Sequence, residues 1–243
     1  MDKNKLDWVK LLSKKRPRMD GANEKGEIPT SNLVRNEFAQ DYGRVVFSPP
    51  FRRLSKKTQV HPFSNIDFIH NRLTHSAEVS SLGQTFGLSL AMFLQDGGEL
   101  SGDGNTQVDI VNVLCAACLA HDIGNPPFGH AGEDAIRAWA EKTNWNELGA
   151  ADPTDWLHYD GNAQAFRMVS NPEPRDSSYF RLTYATCGSL VKYPWVMGNG
   201  PSDKKDKAGC FRFDEVRFND IMMELDLKRT SGRVPGPRKS GCK

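Results

Sequence analysis

Apolar residues recur at helical spacing in several separate stretches of the chain. From Asp67 to about Leu94 no proline interrupts this pattern, which predicts one long helix. Its apolar positions are Leu73, Ala77, Val79, Leu82, Phe86, Leu90 and Phe93. The next segment, Thr106 to Ala120, is apolar nearly all round, as expected of a central and buried helix. This helix should end at IGNPP, because Gly124 suits a carboxyl-terminal cap and the prolines cannot continue a helix.

Three further segments have the pattern of shorter helices. His130 to Lys142 resumes a helical pattern after the prolines, and GNAQAFRMVS predicts another helix. A later group of apolar residues has the spacing of one helical face: Phe218, Ile221, Met222 and Leu225. The clearest elements are therefore all helical, and the expected fold class is all-α with loop insertions.

Other parts of the chain predict less regular structure. Residues 5–16 favour a short basic helix, and LTYATCGSLVKYP fits either a helix or a strand. The proline-containing stretch DYGRVVFSPPFRRLSKKTQVHPF favours loops, a short helix and a hairpin. The last sixteen residues, KRTSGRVPGPRKSGCK, have almost no apolar content, so no packed element is expected there.

Composition is that of a globular protein with a real core. The chain has 243 residues, of which 38% are hydrophobic and 26% charged. Its net charge is only +2, which gives no global signal for a polyanionic partner. Basic residues cluster at both ends, where a solvated surface is favoured over phosphate binding: Lys10, Lys14, Lys15, Arg16 and Arg18, and Lys228, Arg229, Arg233, Arg238, Lys239 and Lys243.

Cysteine usage and hydropathy bear on location. Five cysteines, an odd number, fit neither a disulfide framework nor a zinc ribbon, so a reducing cytoplasm is the expected location. The amino terminus MDKNKLDWVKLL lacks the apolar core of a signal peptide, and the chain has no apolar run of about 18 residues. We therefore expect neither export nor a membrane partner.

The stretch LAHDIGNPPFGHAGED places several ionisable groups at the end of the buried helix. His121 and Asp122 follow small and apolar residues, and burying an unpaired charge costs several kcal/mol. A metal ion bound by both side chains would remove that cost. The alternative is that His121 hydrogen-bonds a carbonyl while Asp122 caps the next turn.

The motif RLTHS supplies a further candidate ligand. Arg72 and His75 are one helical turn apart, so both side chains lie on one face of the long helix. A histidine from one helix and a His-Asp pair from another provide nitrogen and oxygen ligands, which suit first-row metals and suit magnesium when water completes the shell. Arg72 offers a donor fork for a phosphate oxygen, with an ordinary surface ion pair as the alternative.

A second pair of ionisable residues begins the next helix. His130 and Glu133 are three residues apart and hence adjacent. A carboxylate that holds one imidazole nitrogen orients the ring and makes it a usable proton donor near neutrality, although a polar pair with no chemistry is the alternative. The intervening PPF would act as a rigid spacer between this pair and the His-Asp pair.

Taken together, these motifs resemble one known family. HNRLTHS at 70–76, AHDIGNPPFGHAGE at 120–133, RNEFAQDYGRVVFSPPFRRLSKKTQV, GNAQAFR and LVKYP are similar to the deoxyguanosine triphosphate triphosphohydrolase family of the HD-domain superfamily. The resemblance covers roughly residues 35–227. It implies an all-α HD-domain fold over 35–227, preceded by a basic helix and loop at 1–34 and followed by a disordered basic tail at 228–243.

The resemblance also implies an activity and a set of site residues. The reaction would be hydrolysis of a dNTP, with dGTP favoured, to a deoxynucleoside and inorganic triphosphate. His75, His121 and Asp122 would bind Mg²⁺, Mn²⁺ or another first-row divalent metal, while His130 would protonate the departing 5′ oxygen with Glu133 beside it. Residues expected near the substrate are Gln59, Arg72, Asn162, Lys192, Tyr193 and Lys207.

The chain departs from this family near Leu227. The family's fourth metal ligand is an aspartate in a motif resembling EAADDI, and no such string occurs here. We therefore expect a truncated gene product with weak or no activity. The open alternatives are a nucleotide phosphodiesterase or nucleotidase on the same fold, a non-catalytic remnant that binds nucleotides or single-stranded DNA, and a purely structural set of histidines. A homo-oligomer, hexameric by analogy, is a further expectation.

Overall fold

Ten α-helices and no strand make up the described part of the protein. The computed structural model describes residues 6–17, 36–60, 68–100, 105–149, 152–171, 180–202 and 206–227. The helices are α1 (Trp8–Leu11), α2 (Glu37–Phe47), α3 (Pro49–Arg53), α4 (Arg72–Asp96), α5 (Asn105–Ala120), α6 (His130–Lys142), α7 (Thr154–Leu157), α8 (Gly161–Ser170), α9 (Tyr184–Ser189) and α10 (Glu215–Glu224). Within these ranges the expected all-α fold class is confirmed.

Helix α5 lies at the centre of the fold, as predicted. It packs against α4, α2 and α9. Its buried apolar residues, with those of the turn that follows it, are Ile110, Val113, Ala116, Ala117, Leu119, Ala120 and Ile123. Because α5 contacts helices on several sides, its carboxyl-terminal end is held inside the protein.

The long helix α4 packs on α5 through small side chains. It begins at Arg72, where Asn71 caps the first turn and exchanges hydrogen bonds with Thr74 in a capping box. A Cβ atom placed on Gly87 would lie 2.9 Å from the Cα atom of Val111, so the two helix backbones approach closely. The buried positions of α4 are Arg72, Ser76, Ser80, Gly83, Gly87, Ala91 and Leu94.

Several of the large apolar residues of α4 lie on its exposed face. Leu82, Phe86 and Phe93 are 60%, 70% and 73% exposed. The apolar spacing correctly indicated a helix. The face that packs on α5, however, consists mainly of small residues, which allow the two helices to approach closely. The outer face of α4 therefore presents large apolar side chains, and no charged residue occurs from Val79 to Gln95.

Several weaker predictions are corrected by the structure. The described part of DYGRVVFSPPFRRLSKKTQVHPF forms α2, α3 and a 3₁₀ turn at Leu54–Lys56 rather than a hairpin. The two prolines favour α3, because Ser48 caps that helix and proline is tolerated in a first turn. LTYATCGSLVKYP contains the helix α9, and the expected helix at 5–16 is restricted to α1. The loop expected before residue 35 and the tail expected at 228–243 lie mostly or wholly outside the described residues.

The basic amino-terminal segment is joined to the helical body by ion pairs. Lys10, Lys14 and Lys15 lie within 4 Å of carboxylates, and Arg16 donates to Asp41 at 2.6 Å. The described part of this basic cluster is therefore paired within the chain. Among the described residues, no helix combines the length and apolar content that a membrane span requires.

Asp41 is a fully buried carboxylate with several donors. Besides Arg16, it accepts hydrogen bonds from the backbone amide and hydroxyl of Thr183 and from the hydroxyl of Thr186. One side chain thus connects the amino-terminal segment, α2 and the start of α9. Because every donor loses its partner when the carboxylate is removed, this position is expected to be sensitive to substitution.

We expect Asp41→Ala to lower the free energy of unfolding by about 3–5 kcal/mol, since it breaks a buried ion pair and leaves its donors unsatisfied. Urea denaturation followed by circular dichroism measures the loss. The matched control is Lys10→Met, which removes an ion pair whose partners are about half exposed and should cost less than about 1 kcal/mol. Equal losses for the two variants would contradict the structural role of Asp41.

Candidate active site

Three side chains from α4 and from the turn after α5 meet at one point. His75, His121 and Asp122 each offer one ligand atom, and these atoms all lie within 4.8 Å of one another. The two imidazole rings are 5.3 Å apart between centroids, in an edge-to-face arrangement. Within the described ranges, this is the one group of three or more His, Cys, Asp or Glu side chains that could hold a metal.

His121 is oriented by the helix that precedes it. Its Nδ1 atom lies 2.7 Å from the carbonyl oxygen of Cys118. Since a carbonyl only accepts hydrogen bonds, Nδ1 carries the proton and Nε2 keeps its lone pair. Nε2 lies 3.5 Å from Oδ1 of Asp122. The hydrogen bond to the carbonyl and metal binding, which the sequence presents as alternatives, are thus compatible because each uses a different nitrogen of the ring.

Asp122 is buried and is held from two sides. Oδ2 accepts a hydrogen bond from Nη1 of Arg72 at 2.8 Å, and Oδ1 accepts one from Nδ2 of Asn125 at 2.5 Å. Arg72 is itself buried, so the alternative of an ordinary surface ion pair is wrong for this residue. The Nε atom of its guanidinium is buried without a partner.

The second predicted pair forms at the start of α6. Nδ1 of His130 lies 2.8 Å from Oε2 of Glu133, whose Oε1 accepts the backbone amide of Gly161 at 2.8 Å. The His130 side chain is 82% exposed, whereas that of Glu133 is 1% exposed. Burial alone would raise the pKa of Glu133. Hydrogen bonds from His130 and Gly161, with the charges of Lys207 and His130, outweigh burial and lower that pKa below its ordinary value.

Gly129, in the loop between the His121–Asp122 pair and the His130–Glu133 pair, lets that loop pack closely against Arg72. Gly129 has a φ of +56°, and a Cβ atom there would lie 2.6 Å from Nη2 of Arg72. The residue before His130 therefore touches the arginine that holds Asp122. Gly124 does not have the left-handed conformation expected of a helix cap. It is required instead by close approach, because a Cβ atom there would lie 2.2 Å from the amide nitrogen of Ala165.

The expected substrate-binding residues fall into two sets. Lys207 joins the His130 side of the site, with Nζ 3.5 Å from Glu133 and 3.8 Å from Asp160. Asn162 lies nearby, because its side-chain amide and backbone amide both donate to Asp160. Tyr193 packs against a small apolar cluster that includes Ala163 and Ala208. These two alanines follow Asn162 and Lys207 in the chain.

The remaining two expected residues have weaker connections to the site. Lys192 is exposed, and its ammonium lies 5.6 Å from the ring centroid of Tyr193. Gln59 follows Thr58, which pairs with Asn71 at the start of α4. Its Oε1 atom is buried without a partner.

Two residues beside the site were missed by sequence reasoning. Lys57 donates from Nζ to the carbonyl oxygen of Asn125 at 2.6 Å, and Asn125 in turn holds Asp122. Both residues occur in strings that carry the family resemblance, KKTQV and DIGNPPFG. Their types gave no separate signal, because a lysine and an asparagine in loops are ordinary surface residues.

Two cysteines with CxxC spacing lie within α5, close to the site. Burial raises the pKa of Cys115 and Cys118, and the neighbouring Cys118 thiol adds to the shift at Cys115. Both thiols are therefore protonated near neutrality and are poor nucleophiles and metal ligands. The ionisable groups suited to chemistry here are the histidines and carboxylates.

This geometry agrees with a comparison to known protein families. Residues 72–163, which include all three candidate ligands and the His130–Glu133 pair, match the HD domain. This part of the chain is therefore similar to the HD domain. The all-α HD-domain fold class is thereby confirmed, and HD domains are metal-dependent.

Curated relatives extend the match well beyond the HD domain. A deoxyguanosinetriphosphate triphosphohydrolase-like protein from Pseudomonas aeruginosa (strain LESB58) is 43% identical over 231 residues, which cover 91% of this chain and 50% of the relative. One from Synechocystis sp. is 35% identical over 243 residues, covering 94% and 53%. A deoxyguanosinetriphosphate triphosphohydrolase from Yersinia enterocolitica is 29% identical over 258 aligned residues, covering 91% and 49%. The predicted family resemblance is confirmed, and the chain spans about half the length of these relatives.

The lowered pKa of Glu133 predicts a pH dependence of stability. A carboxylate whose pKa is lower in the folded state stabilises the fold above its ordinary pKa of 4.5, and this contribution is lost as pH falls through the folded value. We expect Glu133→Gln to destabilise the protein most near neutral pH, with a difference from wild type that shrinks below pH 4.5. Denaturant titrations between pH 7 and pH 3 measure this difference.

The control for this prediction is Asp134→Asn. Asp134 is mostly exposed and forms an i,i+3 pair with Arg137. Its substitution should change stability only slightly across the same pH range. A constant difference between wild type and Glu133→Gln at every pH would show that Glu133 contributes through packing alone.

Proposed function

We propose that the protein hydrolyses a deoxynucleoside triphosphate, with dGTP preferred, to the deoxynucleoside and inorganic triphosphate. The observation that carries the proposal is the convergence of His75, His121 and Asp122 beside a His130–Glu133 pair, with Arg72 between the two groups. The names of the relatives, deoxyguanosinetriphosphate triphosphohydrolase and triphosphohydrolase-like protein, support the reaction class. Those relatives are about twice as long as this chain. Their activity is therefore assigned to this chain as part of the proposal.

The donor set fits a divalent metal. Two imidazoles and one carboxylate suit first-row metals, and the nitrogen ligands favour Mn²⁺ over Mg²⁺. The Nε atom of Arg72, whose guanidinium holds Asp122, is a buried polar atom without a partner, which agrees with a site shaped for a bound group. A divalent metal, when bound, supplies positive charge next to the phosphate and acidifies water.

Cationic side chains on both sides of the site suit a polyanionic substrate. Arg72 presents a planar donor fork beside Asp122, and Lys207 places an ammonium near Glu133. Both cations are less than one-third exposed, so their attraction for phosphate oxygens is less screened than at an open surface. These residues are suited to orient the triphosphate and to stabilise the charge that develops on it.

The His130–Glu133 pair is suited to proton transfer. With Nδ1 held by the buried carboxylate, Nε2 of the exposed ring is directed away from Glu133. In the proposed reaction, water attacks the α-phosphorus and releases a proton to solvent, and the bond from phosphorus to the 5′ oxygen breaks. Protonated His130 gives its Nε2 proton to that oxygen, which leaves as the deoxynucleoside hydroxyl.

The products distinguish this function from its alternatives. We expect purified protein with Mn²⁺ and dGTP to release deoxyguanosine and inorganic triphosphate in equal amounts, at a slow rate because the described residues supply only three metal ligands. Anion-exchange chromatography of the products over a panel of dNTPs measures this. Release of orthophosphate or pyrophosphate, or turnover of cyclic or monophosphate nucleotides instead, would favour a nucleotidase or phosphodiesterase.

His130→Ala should lower triphosphate release about a hundredfold to ten-thousandfold, because the general acid is lost while the metal ligands remain. Rates are compared at saturating Mn²⁺, and Mn²⁺ binding is measured separately by calorimetry. His70→Ala is the matched control, since His70 is an exposed histidine paired with Glu78. A normal rate for His130→Ala would refute its role as acid.

A further inference from the structure

We infer that Asn125, held in place by Lys57, is a positioning residue for the Asp122 carboxylate. The inference rests on the proposed function, because it concerns the ligand set of the proposed metal site. Neither Asn125 nor Lys57 belongs to the three candidate ligands or to the His130–Glu133 pair.

Asn125 holds the carboxylate oxygen that is nearest to the histidines. Its Nδ2 atom donates to Oδ1 of Asp122 at 2.5 Å, and Oδ1 is the oxygen that lies 3.5 Å from Nε2 of His121. Arg72 occupies the opposite oxygen, Oδ2. The carboxylate is therefore held at both oxygens, and because the amide is neutral it adds no positive charge beside Oδ1 that would repel a cation.

Lys57 fixes the backbone of Asn125 relative to α4. Nζ of Lys57 donates to the carbonyl oxygen of Asn125 at 2.6 Å, while the carbonyl oxygen of Lys57 accepts the amide of Arg72 at 3.0 Å. One residue thus links the first turn of the helix that carries His75 to the loop that carries Asp122. Burial, with the charges of Arg72 and Arg53, lowers the pKa of Lys57, and Asp122 partly opposes that shift.

The other side of Asn125 is packed against the start of α8. A Cβ atom at Gly161 would lie 2.5 Å from Oδ1 of Asn125, so glycine at this position lets the start of α8 pack directly against the amide. The amide nitrogen of Gly161 is in turn held by Glu133. Asn125 is therefore enclosed by residues of both halves of the site, as a residue that sets ligand geometry should be.

The inference is tested by Mn²⁺ affinity in the full chain. Calorimetry should find Mn²⁺ binding about ten- to a hundredfold weaker in Asn125→Ala, as is typical when a residue that orients a metal ligand is removed. Lys57→Met should weaken binding in the same direction, and Lys57→Arg should restore part of the loss by keeping a donor. Asn144→Ala and Lys142→Met are matched controls at exposed positions and should bind Mn²⁺ as wild type does.

A second readout separates positioning from a general structural role. At saturating Mn²⁺, the KM for dGTP of Asn125→Ala should stay within about twofold of wild type, since Asn125 is not assigned to substrate binding. Thermal unfolding monitored by circular dichroism identifies any variant that fails to fold, and Asn125→Ser then replaces Asn125→Ala. Unchanged Mn²⁺ affinity in folded Asn125 and Lys57 variants would overturn the inference.

The outcomes also separate this inference from the proposed function. Weaker Mn²⁺ binding in the variants, together with a wild type that releases no triphosphate from any dNTP, would support positioning and overturn the proposed reaction. A wild type that binds no Mn²⁺ would overturn the proposed metal site and the positioning role together.

Discussion

The buried ion pair between Arg72 and Asp122 is the interaction on which the candidate site depends. It joins the first turn of α4 to the turn after α5, with both side chains about 10% exposed. Two charges removed from water require good geometry, and here the hydrogen bond from Asn125 satisfies the second carboxylate oxygen. Because the arginine also touches Gly129, the same pair places the loop that leads to His130. The three candidate metal ligands and the His130–Glu133 pair thus share one electrostatic anchor.

That anchor requires the helices to approach closely, and the small inner face of α4 provides this. Ser76 and Ser80 follow His75 along the same helix and face α5, and Ser80 donates to the carbonyl of Cys115. Larger residues there would move α4 outward and separate His75 from His121. The large apolar residues of α4 are displaced to its outer face. Site geometry, rather than maximal burial of apolar surface, therefore accounts for the composition of this helix.

Local features of the site followed from the sequence, and long-range ones did not. Helices α6 and α8 were predicted with their observed bounds, because prolines and a helical period delimit them. The His130–Glu133 contact followed from i,i+3 spacing. The inner face of α4 was missed because large apolar residues dominate a periodicity argument. Lys57 was missed because its contact is with a backbone carbonyl 68 residues away, which leaves no pattern in the chain.

The exposures of the site residues also follow a chemical logic. The groups that orient, Asp122, Glu133 and Arg72, are all buried. The rings suited to contact a ligand are more open, with the side chains of His121 and His130 at 34% and 82%. Buried carboxylates and a buried arginine keep strong, poorly screened interactions that fix the rings. The rings keep one nitrogen each for a metal or a proton. The candidate site therefore combines buried charged residues that orient the rings with two imidazoles that are open to solvent.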